Sequence, residues 1–209
     1  MYKHIYDQFK HWYHGGTIWF YSDPHFSDEE MKYLRKNYIG DEEQVRAINS
    51  KLGKNDTIVF LGDIGNTEYI KKIRGYKVLI MGNHDTGATN YQRQFLQCTE
   101  NDSEAILAKI GYIKDNKLFD EVYEGPVFLS KKLLLSHEPI DYPFALNIHG
   151  HDHSGWSKLR LGYNVCAEHI NYTPVSINQI IKSGLLNEID DIHRATIDRA
   201  TENKKCRNI

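Results

Sequence analysis

"TIVFLGD", residues 57–63, joins an apolar run to a glycine and a carboxylate. The run has the length of a buried β-strand and is rich in the β-branched and aromatic side chains that strands favour. Similar runs recur along the chain, at Thr17–Tyr21, Lys77–Met81, Lys132–Leu135 and Phe144–Ile148. We therefore predict five short strands that each lead into polar residues.

The segment between the first two runs has a helical pattern. It opens with Asp41-Glu42-Glu43, places Val45, Ile48 and Leu52 on one face, and meets a stop signal at Gly53. A shorter helix is predicted over Glu68–Ile73. Because strands and helices alternate here, we expect parallel central strands covered by helices.

The middle of the chain has a different pattern. Leu118–Ser136 contains strand-like pieces separated by turn signals at Gly125-Pro126 and Lys131-Lys132. This predicts an antiparallel section, and hence a mixed α/β layered architecture. No repeat or low-complexity linker is visible, so we expect residues 1–209 to form a single domain.

Both ends of the chain are predicted to carry helical additions. Aromatic residues at helical spacing predict an N-terminal helix over about residues 1–15, with Gly15 as its C-cap and its aromatic face packed on the core. Apolar residues at helical spacing predict a C-terminal helical extension over about residues 184–209, namely Leu185, Leu186, Ile189 and Ile192. This face suits packing on the domain or on a second subunit, so a homodimer through the terminal helices stays open.

The composition is that of an ordinary globular protein, with 40% hydrophobic and 26% charged residues and a formal net charge of −2. No global basic field favours nucleic acid or an anionic membrane. The three cysteines have no Cys-x-x-Cys spacing, which argues against a zinc finger or a disulfide framework. Neither a membrane span nor a signal peptide is visible, so we expect a soluble, cytoplasmic protein with no membrane partner.

Residues that can bind a metal follow each of the five runs. In chain order they are Asp23-Pro24-His25, Gly62-Asp63, Gly82-Asn83-His84-Asp85, His137 and "HGHDH" over residues 149–153. Ligands collect at the carboxyl ends of strands in open α/β sheets, so we expect one convergent site. Carboxylate, imidazole and amide donors without a thiolate suit Mn²⁺, Fe, Co²⁺, Ni²⁺ or Zn²⁺.

The individual motifs differ in strength. Asp-x-His and Gly-Asp are each expected by chance roughly once in a chain of this composition. The histidines of "NIHGHDH", residues 147–153, are also compatible with a solvated histidine-rich loop. The full series of motifs, each after a predicted strand, indicates a metal site instead.

In this order the motifs resemble those of the calcineurin-like metallophosphoesterase superfamily, in particular its small, capless bacterial and phage members. The resemblance spans Thr17–Ile181 and includes the "LSHEP" of Leu135–Pro139. It implies an α/β fold, a four-layer α/β/β/α sandwich of two mixed sheets flanked by helices, with a binuclear metal centre at one edge. The implied cofactors are two divalent metal ions, for which we expect Mn²⁺, with Fe, Ni²⁺, Co²⁺ or Zn²⁺ as alternatives.

The resemblance also implies roles for individual residues. The implied metal ligands are Asp63 as the bridge, Asp23, His25 and His153 at the first metal, and Asn83, His137 and His151 at the second. His84 is the implied catalytic residue at the phosphoryl group, with Asp85 holding its ring, and the attacking group is a metal-bridging hydroxide. We expect His149 to be a neighbour of the site and Asp152 to be solvated or to orient a ligand, and we leave the role of His169 open.

The likeness to phosphoprotein phosphatases stops at two arginines that clamp a monoester dianion in those enzymes. The corresponding stretches here contain Asn66-Thr67 and Thr86-Gly87. Two divalent ions with their anionic ligands leave a net charge of about +1, which matches a diester monoanion. We therefore expect a phosphodiesterase for a small phosphodiester or nucleotide. The alternatives are a phosphomonoesterase or nucleotide phosphatase, a nuclease, and a non-catalytic metal-binding scaffold.

Overall fold

The computed structural model describes residues 5–85 and 118–190. Its strands are β1 (Ile18–Tyr21), β2 (Thr57–Phe60), β3 (Tyr76–Ile80), β4 (Glu121–Tyr123), β5 (Val127–Ser130), β6 (Leu133–Leu135), β7 (Leu146–His149), β8 (Gly162–Asn164) and β9 (Val175–Ser176). Its α-helices are α1 (Met31–Leu34), α2 (Asp41–Lys51) and α3 (Ile177–Lys182). Short 3₁₀ helices cover Asp7–Trp12, Thr67–Lys72 and Leu185–Glu188. None of the helices in these ranges is long and apolar enough to cross a membrane.

The strands form two mixed sheets with flanking helices, as predicted. The first sheet has the order β4-β3-β2-β1-β9, in which β9 alone runs antiparallel to its neighbour. The second has the order β5-β6-β7-β8, with an antiparallel β5–β6 pair and two parallel pairs. The predicted parallel arrangement of β1, β2 and β3 is therefore confirmed.

The core follows from the two-residue alternation of the central strands. On β2 and the residue after it, Val59 and Leu61 pack in the cluster that also contains Leu135 and Ile148 of the second sheet. Ile58 and Phe60 point to the opposite face, against the apolar side of α2. Each fully buried side chain of this size contributes about 1.5–3 kcal/mol of transfer free energy. The first sheet is therefore packed between the second sheet on one face and α2 on the other, and this packing fixes the positions of its strand ends.

The prediction of an antiparallel middle section is correct for one pair of strands and wrong for another. β5 and β6 form the antiparallel pair around Lys131-Lys132. β4 instead extends the first sheet and pairs in parallel with β3. The reason is a tertiary contact: the backbone of Lys77 donates to the Asp120 carboxylate (2.7 Å), and the backbone of Asp120 donates to Lys77 O (2.8 Å).

Residues 1–4 of the N-terminal segment lie outside the described residues. From Ile5 onward, the segment is less helical than predicted. Ile5 bridges to Ser130, so the chain is extended there, and only a 3₁₀ helix follows over Asp7–Trp12. Phe9 and Trp12 are buried in the core, as the aromatic pattern predicted, whereas Tyr6 and Tyr13 are exposed. At Ile5, pairing with the second sheet therefore takes the place of the predicted helix.

The C-terminal part begins with α3, which starts at a capping box formed by Ser176 and Gln179. A 3₁₀ helix follows over Leu185–Glu188, and Ile189 is buried in the core. The remainder of the predicted extension, residues 191–209 with Ile192, lies outside the described residues. The described part of this segment thus packs on the same core as the two sheets.

Candidate metal centre

The loops after β1, β2, β3, β6 and β7 meet at one edge of the two sheets, as the sequence predicted. Within the first sheet, Asp23 N donates to Gly62 O (3.1 Å) and joins the loop after β1 to the loop after β2. Between the two sheets, His151 N donates to Asp23 Oδ2 (2.9 Å) and joins the loop after β7 to the loop after β1. Gly150 N also donates to His137 O (2.9 Å), which aligns the two loops of the second sheet. Side chains separated by more than a hundred residues are thereby brought together.

The first group of possible metal ligands consists of Asp23, His25 and His153. Asp23 Oδ1 lies 3.9 Å from His25 Nε2 and 3.5 Å from His153 Nε2. Ligand atoms held about 2.0–2.2 Å from one ion lie about 3–4 Å apart. The three atoms are therefore spaced as ligands of a single ion would be.

The second group consists of Asp63, His137 and His151. His137 Nε2 lies 3.4 Å from Asp63 Oδ2, 3.1 Å from His151 Nδ1 and 2.8 Å from Asn83 Oδ1. The four side chains that the resemblance grouped at the second metal thus converge on one point. Asp63 Oδ2 also lies 3.7 Å from His25 Nε2 of the first group, which is the position expected of a shared ligand.

Hydrogen bonds at the far side of two histidine rings fix which nitrogen faces the site. His137 Nδ1 donates to Leu61 O (2.7 Å), and His153 Nδ1 donates to Glu168 Oε1 (2.6 Å). A carbonyl or carboxylate at Nδ1 leaves the Nε2 lone pair free for a metal and orients the ring. In both rings the Nε2 atom is the one that faces the opposing carboxylate.

Two buried polar atoms support the fit of a cation. Within the described ranges, Asp23 Oδ1 and His25 Nε2 are buried and have no hydrogen-bond partner. Buried polar atoms are normally paired, and an unpaired one costs about 1–3 kcal/mol. Both belong to the first ligand group, so an ion coordinated there would satisfy them together.

The pKa shifts of Asp23 and His137 also support the fit of a cation. Burial raises the pKa of Asp23, but the charge of His137 and, more weakly, those of His153 and His25 outweigh it and lower the pKa overall. Burial lowers the pKa of His137, yet the carboxylates of Asp23 and Asp63 raise it to about 10. The buried carboxylates of Asp23 and Asp63 therefore favour positive charge at this edge of the two sheets.

The backbone at the site is strained. Asp23 (φ 56°), His25 (φ 46°), Asp63 (φ 55°) and His151 (φ 64°) all adopt the left-handed region. Each such residue costs on the order of 1–3 kcal/mol, and such strain is concentrated at functional sites. Gly150 permits the closest approach, since a Cβ there would lie 1.9 Å from Ser22 Oγ and 2.3 Å from Asp23 Oδ2.

His84 and Asp85 have different surroundings from each other. The His84 side chain is 43% exposed, and its Nε2 lies 3.9 Å from Asp63 Oδ2, outside both ligand groups. The Asp85 carboxylate is buried and accepts from the backbone N–H groups of Asp63 (2.8 Å), Ile64 (2.9 Å) and Gly82 (2.8 Å). In the described part of the chain it makes no ion pair with the His84 ring, which corrects the predicted contact. Asp85 instead joins the loop after β2 to the loop after β3, because three buried backbone donors require an acceptor there.

Three residues that support the first group were not predicted from the sequence. Glu168 accepts from His153, and Arg35 Nε lies 3.4 Å from Glu168 Oε2 while its guanidinium donates to Asp23 O (2.7 Å). Cys166 Sγ donates to Asp23 Oδ2 (3.2 Å), and burial strongly raises the pKa of this thiol. Cys166 and Glu168 follow β8, so the strand-end rule would have found them had β8 been predicted.

The structure also places the three residues whose roles the sequence left open, namely His149, Asp152 and His169. His149 is buried on β7, and its Nδ1 contacts Gly150 O (2.9 Å), outside both ligand groups. His169 Nε2 contacts Asp152 O and His153 O, both at 3.0 Å, and so holds the backbone next to a candidate ligand. The Asp152 carboxylate accepts from Ser154, Trp156 and Ser157, and therefore shapes the following loop.

The chain is similar to known proteins in sequence and in fold. The uncharacterized protein MJ1445 of Methanocaldococcus jannaschii is 26% identical over 190 residues, which cover 79% of this chain and 89% of that protein. The crystal structure of AQ665, a protein of unknown function from Aquifex aeolicus, matches with a TM-score of 0.56 and 23% identity over 79% of this chain and 98% of that one. This second likeness supports the fold alone. The family model for the calcineurin-like phosphoesterase matches residues 16–159, which contain all the candidate ligands, and the chain belongs to that family.

Proposed function

We propose that this protein hydrolyses phosphodiesters with two divalent metal ions, for which Mn²⁺ is our first choice. The observation that carries the proposal is the position of Asp63 Oδ2, which lies 3.7 Å from His25 Nε2 of one ligand group and 3.4 Å from His137 Nε2 of the other. Asp23, His25 and His153 would hold the first ion and Asn83, His137 and His151 the second, with Asp63 shared. When bound, the ions would polarise the phosphoryl group and lower the pKa of the attacking water.

The chain's own residues would orient the metal ligands and transfer a proton to the substrate. The rings of His137 and His153 are oriented by Leu61 O and Glu168, so their Nε2 atoms are presented without further rearrangement. His84 lies beside the ligands and is partly exposed, which suits a group that contacts the substrate rather than the metal. Its imidazole would stabilise the negative charge on the phosphoryl oxygens in the transition state or protonate the leaving oxygen. Asp85 is a positioning residue, because its carboxylate holds the loop after β2 and the loop after β3 together.

A preference for diesters over monoesters follows from the charges at the site. No arginine follows the Gly-Asp or Gly-Asn-His motifs. Arg35 lies against the site, but its side chain is buried and contacts Asp23 O and Glu168 rather than the open edge. A monoester dianion would leave one negative charge poorly compensated, which costs on the order of 1–3 kcal/mol.

The test compares two substrates with the same leaving group. With metal-reconstituted protein, bis-p-nitrophenyl phosphate should be hydrolysed with a kcat/KM roughly ten- to hundred-fold above that for p-nitrophenyl phosphate. The Asp63→Asn protein, assayed in parallel, attributes the activity to this site. A higher kcat/KM for the monoester with every metal would contradict the proposed preference, and no hydrolysis of either ester would contradict the function itself.

A further inference from the structure

A cavity of about 740 Å³ opens beside the candidate metal centre. Its lining includes His151 and His153, one from each ligand group, together with Glu138, Pro139, Trp156 and Lys158. Cavities of this volume are typical of sites for small ligands. A substrate whose phosphoryl group lies at the metal ligands would therefore extend into this cavity.

Trp156 is the most unusual residue in the cavity lining. It is 82% exposed, whereas Trp12 is completely buried. Exposing an indole ring to water forgoes a large apolar burial free energy, and such exposure at a concave site is typical of a binding surface. No packing of the core requires a tryptophan here, because the ring contributes to neither hydrophobic cluster of the described residues.

The loop beneath the ring is held in one conformation. Asp152 lies between the two candidate ligands, and its carboxylate accepts from Trp156 N (2.9 Å) and Ser157 N (2.5 Å). The Asp152 carbonyl in turn accepts from Asn164 Nδ2 (2.7 Å) and contacts His169 Nε2 (3.0 Å). These bonds fix the backbone of Trp156 relative to His151 and His153, so the indole ring is attached at a defined place beside the candidate ligands.

We propose that the substrate is a nucleotide phosphodiester whose base stacks on Trp156. This assignment rests on the proposed function, because it places the phosphoryl group at the metal ligands. A nucleoside joins a planar ring to a phosphoryl group through a short sugar, so with its phosphoryl group at the metal ligands its base would extend into the cavity toward the exposed indole. Lys158 adds a cation to a lining that also contains the carboxylates of Glu138 and Asp152, so the case for the base rests on the indole ring and the cavity.

The experiment uses two diesters that differ only in the base. They are thymidine 5′-(p-nitrophenyl phosphate) and its abasic counterpart, 1,2-dideoxyribose 5′-(p-nitrophenyl phosphate), which share sugar, charge and leaving group. Stacking of one base on an aromatic side chain corresponds to roughly ten- to hundred-fold in affinity. The metal-loaded wild-type protein should prefer the thymidine ester by about that factor in kcat/KM. Trp156→Ala should remove the preference and leave the abasic ester within about two-fold of wild type.

Two conservative variants separate stacking from packing. Trp156→Phe should retain most of the preference because it keeps an aromatic face, whereas Trp156→Leu should lose it although it keeps apolar bulk. Metal content, measured by elemental analysis, should be unchanged in all three variants. Equal losses for the two esters, or no change in their ratio, would overturn the proposal.

A binding measurement distinguishes this proposal from the function on which it rests. Thymidine 5′-monophosphate should quench the fluorescence of the metal-loaded wild-type protein, and the quenching should be absent in Trp156→Phe. If neither ester is hydrolysed but this quenching occurs, the hydrolytic function fails and the base site stands. If the esters are hydrolysed and the quenching and base preference are both absent, the function stands and the base site fails.

Discussion

Two carboxylates, Asp63 and Glu121, are each surrounded by side chains from distant parts of the sequence, and their partners differ in kind. Glu121 on β4 accepts from Trp12 Nε1 (2.9 Å) and the Tyr76 hydroxyl (2.7 Å), and it also contacts His11 and Tyr123. Asp63 Oδ2 faces the Nε2 atoms of His25, His137 and His84 at 3.4–3.9 Å, beyond ordinary hydrogen-bond distance. The Glu121 cluster is thus complete within the protein, whereas the Asp63 cluster has room for an ion.

The backbone conformation also differs between the Asp63 cluster and the Glu121 cluster. Asp63 and its neighbours Asp23, His25 and His151 adopt positive φ, and within the described ranges the buried atoms Asp23 Oδ1 and His25 Nε2 lack a hydrogen-bond partner. The Glu121 cluster joins residues of ordinary backbone conformation and anchors the N-terminal segment to the first sheet. A cluster of titratable groups therefore indicates ligand binding when its polar atoms are unsatisfied and its backbone is strained, and a structural contact when they are satisfied.

The largest expected effect comes from removing the shared carboxylate. Asp63→Asn should lose most of the bound metal, because one neutral amide cannot balance two divalent cations. The measurement is elemental analysis of the metal-loaded protein after gel filtration. Glu121→Gln is the matched control, because it also neutralises a carboxylate in a cluster of side chains but should keep its metal. Two ions still bound to the Asp63→Asn protein would contradict the ligand assignment.

The next prediction distinguishes His84, proposed to contact the substrate, from His151, proposed to bind a metal ion. His84→Asn should reduce kcat by roughly 10² and keep the metal content of wild type, because His84 lies outside both ligand groups. His151→Asn should instead lower metal occupancy. Metal analysis and kcat for the diester check both variants, and the reverse pattern would exchange the proposed roles.

The smallest effect concerns the stability that the Glu121 cluster supplies. Burial raises the pKa of Glu121, but hydrogen bonds from Tyr123, Tyr76, His11 and Trp12 outweigh it and lower the pKa overall. A lowered native pKa means that the stabilisation is complete above the unfolded pKa of about 4.3 and is lost as the pH falls through the native value. Glu121→Gln should therefore lower the free energy of unfolding by about 1–3 kcal/mol at pH 7, and by progressively less below about pH 4.

Urea denaturation of the metal-free protein measures this difference. Glu43→Gln is the control, because Glu43 pairs with Arg46 at the surface and such pairs contribute about 0–1 kcal/mol. A Glu121→Gln effect that is no larger than the control would remove the structural role assigned to the cluster. An effect that does not change with pH would remove the electrostatic explanation.

The sequence by itself determined the features that depend on local pattern. Apolar runs located β1, β2, β3, β6 and β7, because buried strands need continuous apolar side chains on two faces. The order of strands and helices determined the parallel centre of the first sheet. Since parallel strands end at a common edge, the residues after them, from Asp23 to His153, were predicted to converge, and the structure brings them together.

Only the tertiary structure decided the features that depend on contacts between distant segments. Three such features depend on partners that are distant in the sequence: the parallel addition of β4, the short 3₁₀ helix at Asp7–Trp12 and the backbone contacts of Asp85. The same is true of Glu168 behind His153 and of Trp156 above Asp152. A side chain's role is set by the atoms that surround it after folding, and no local pattern in the sequence specifies which atoms those are.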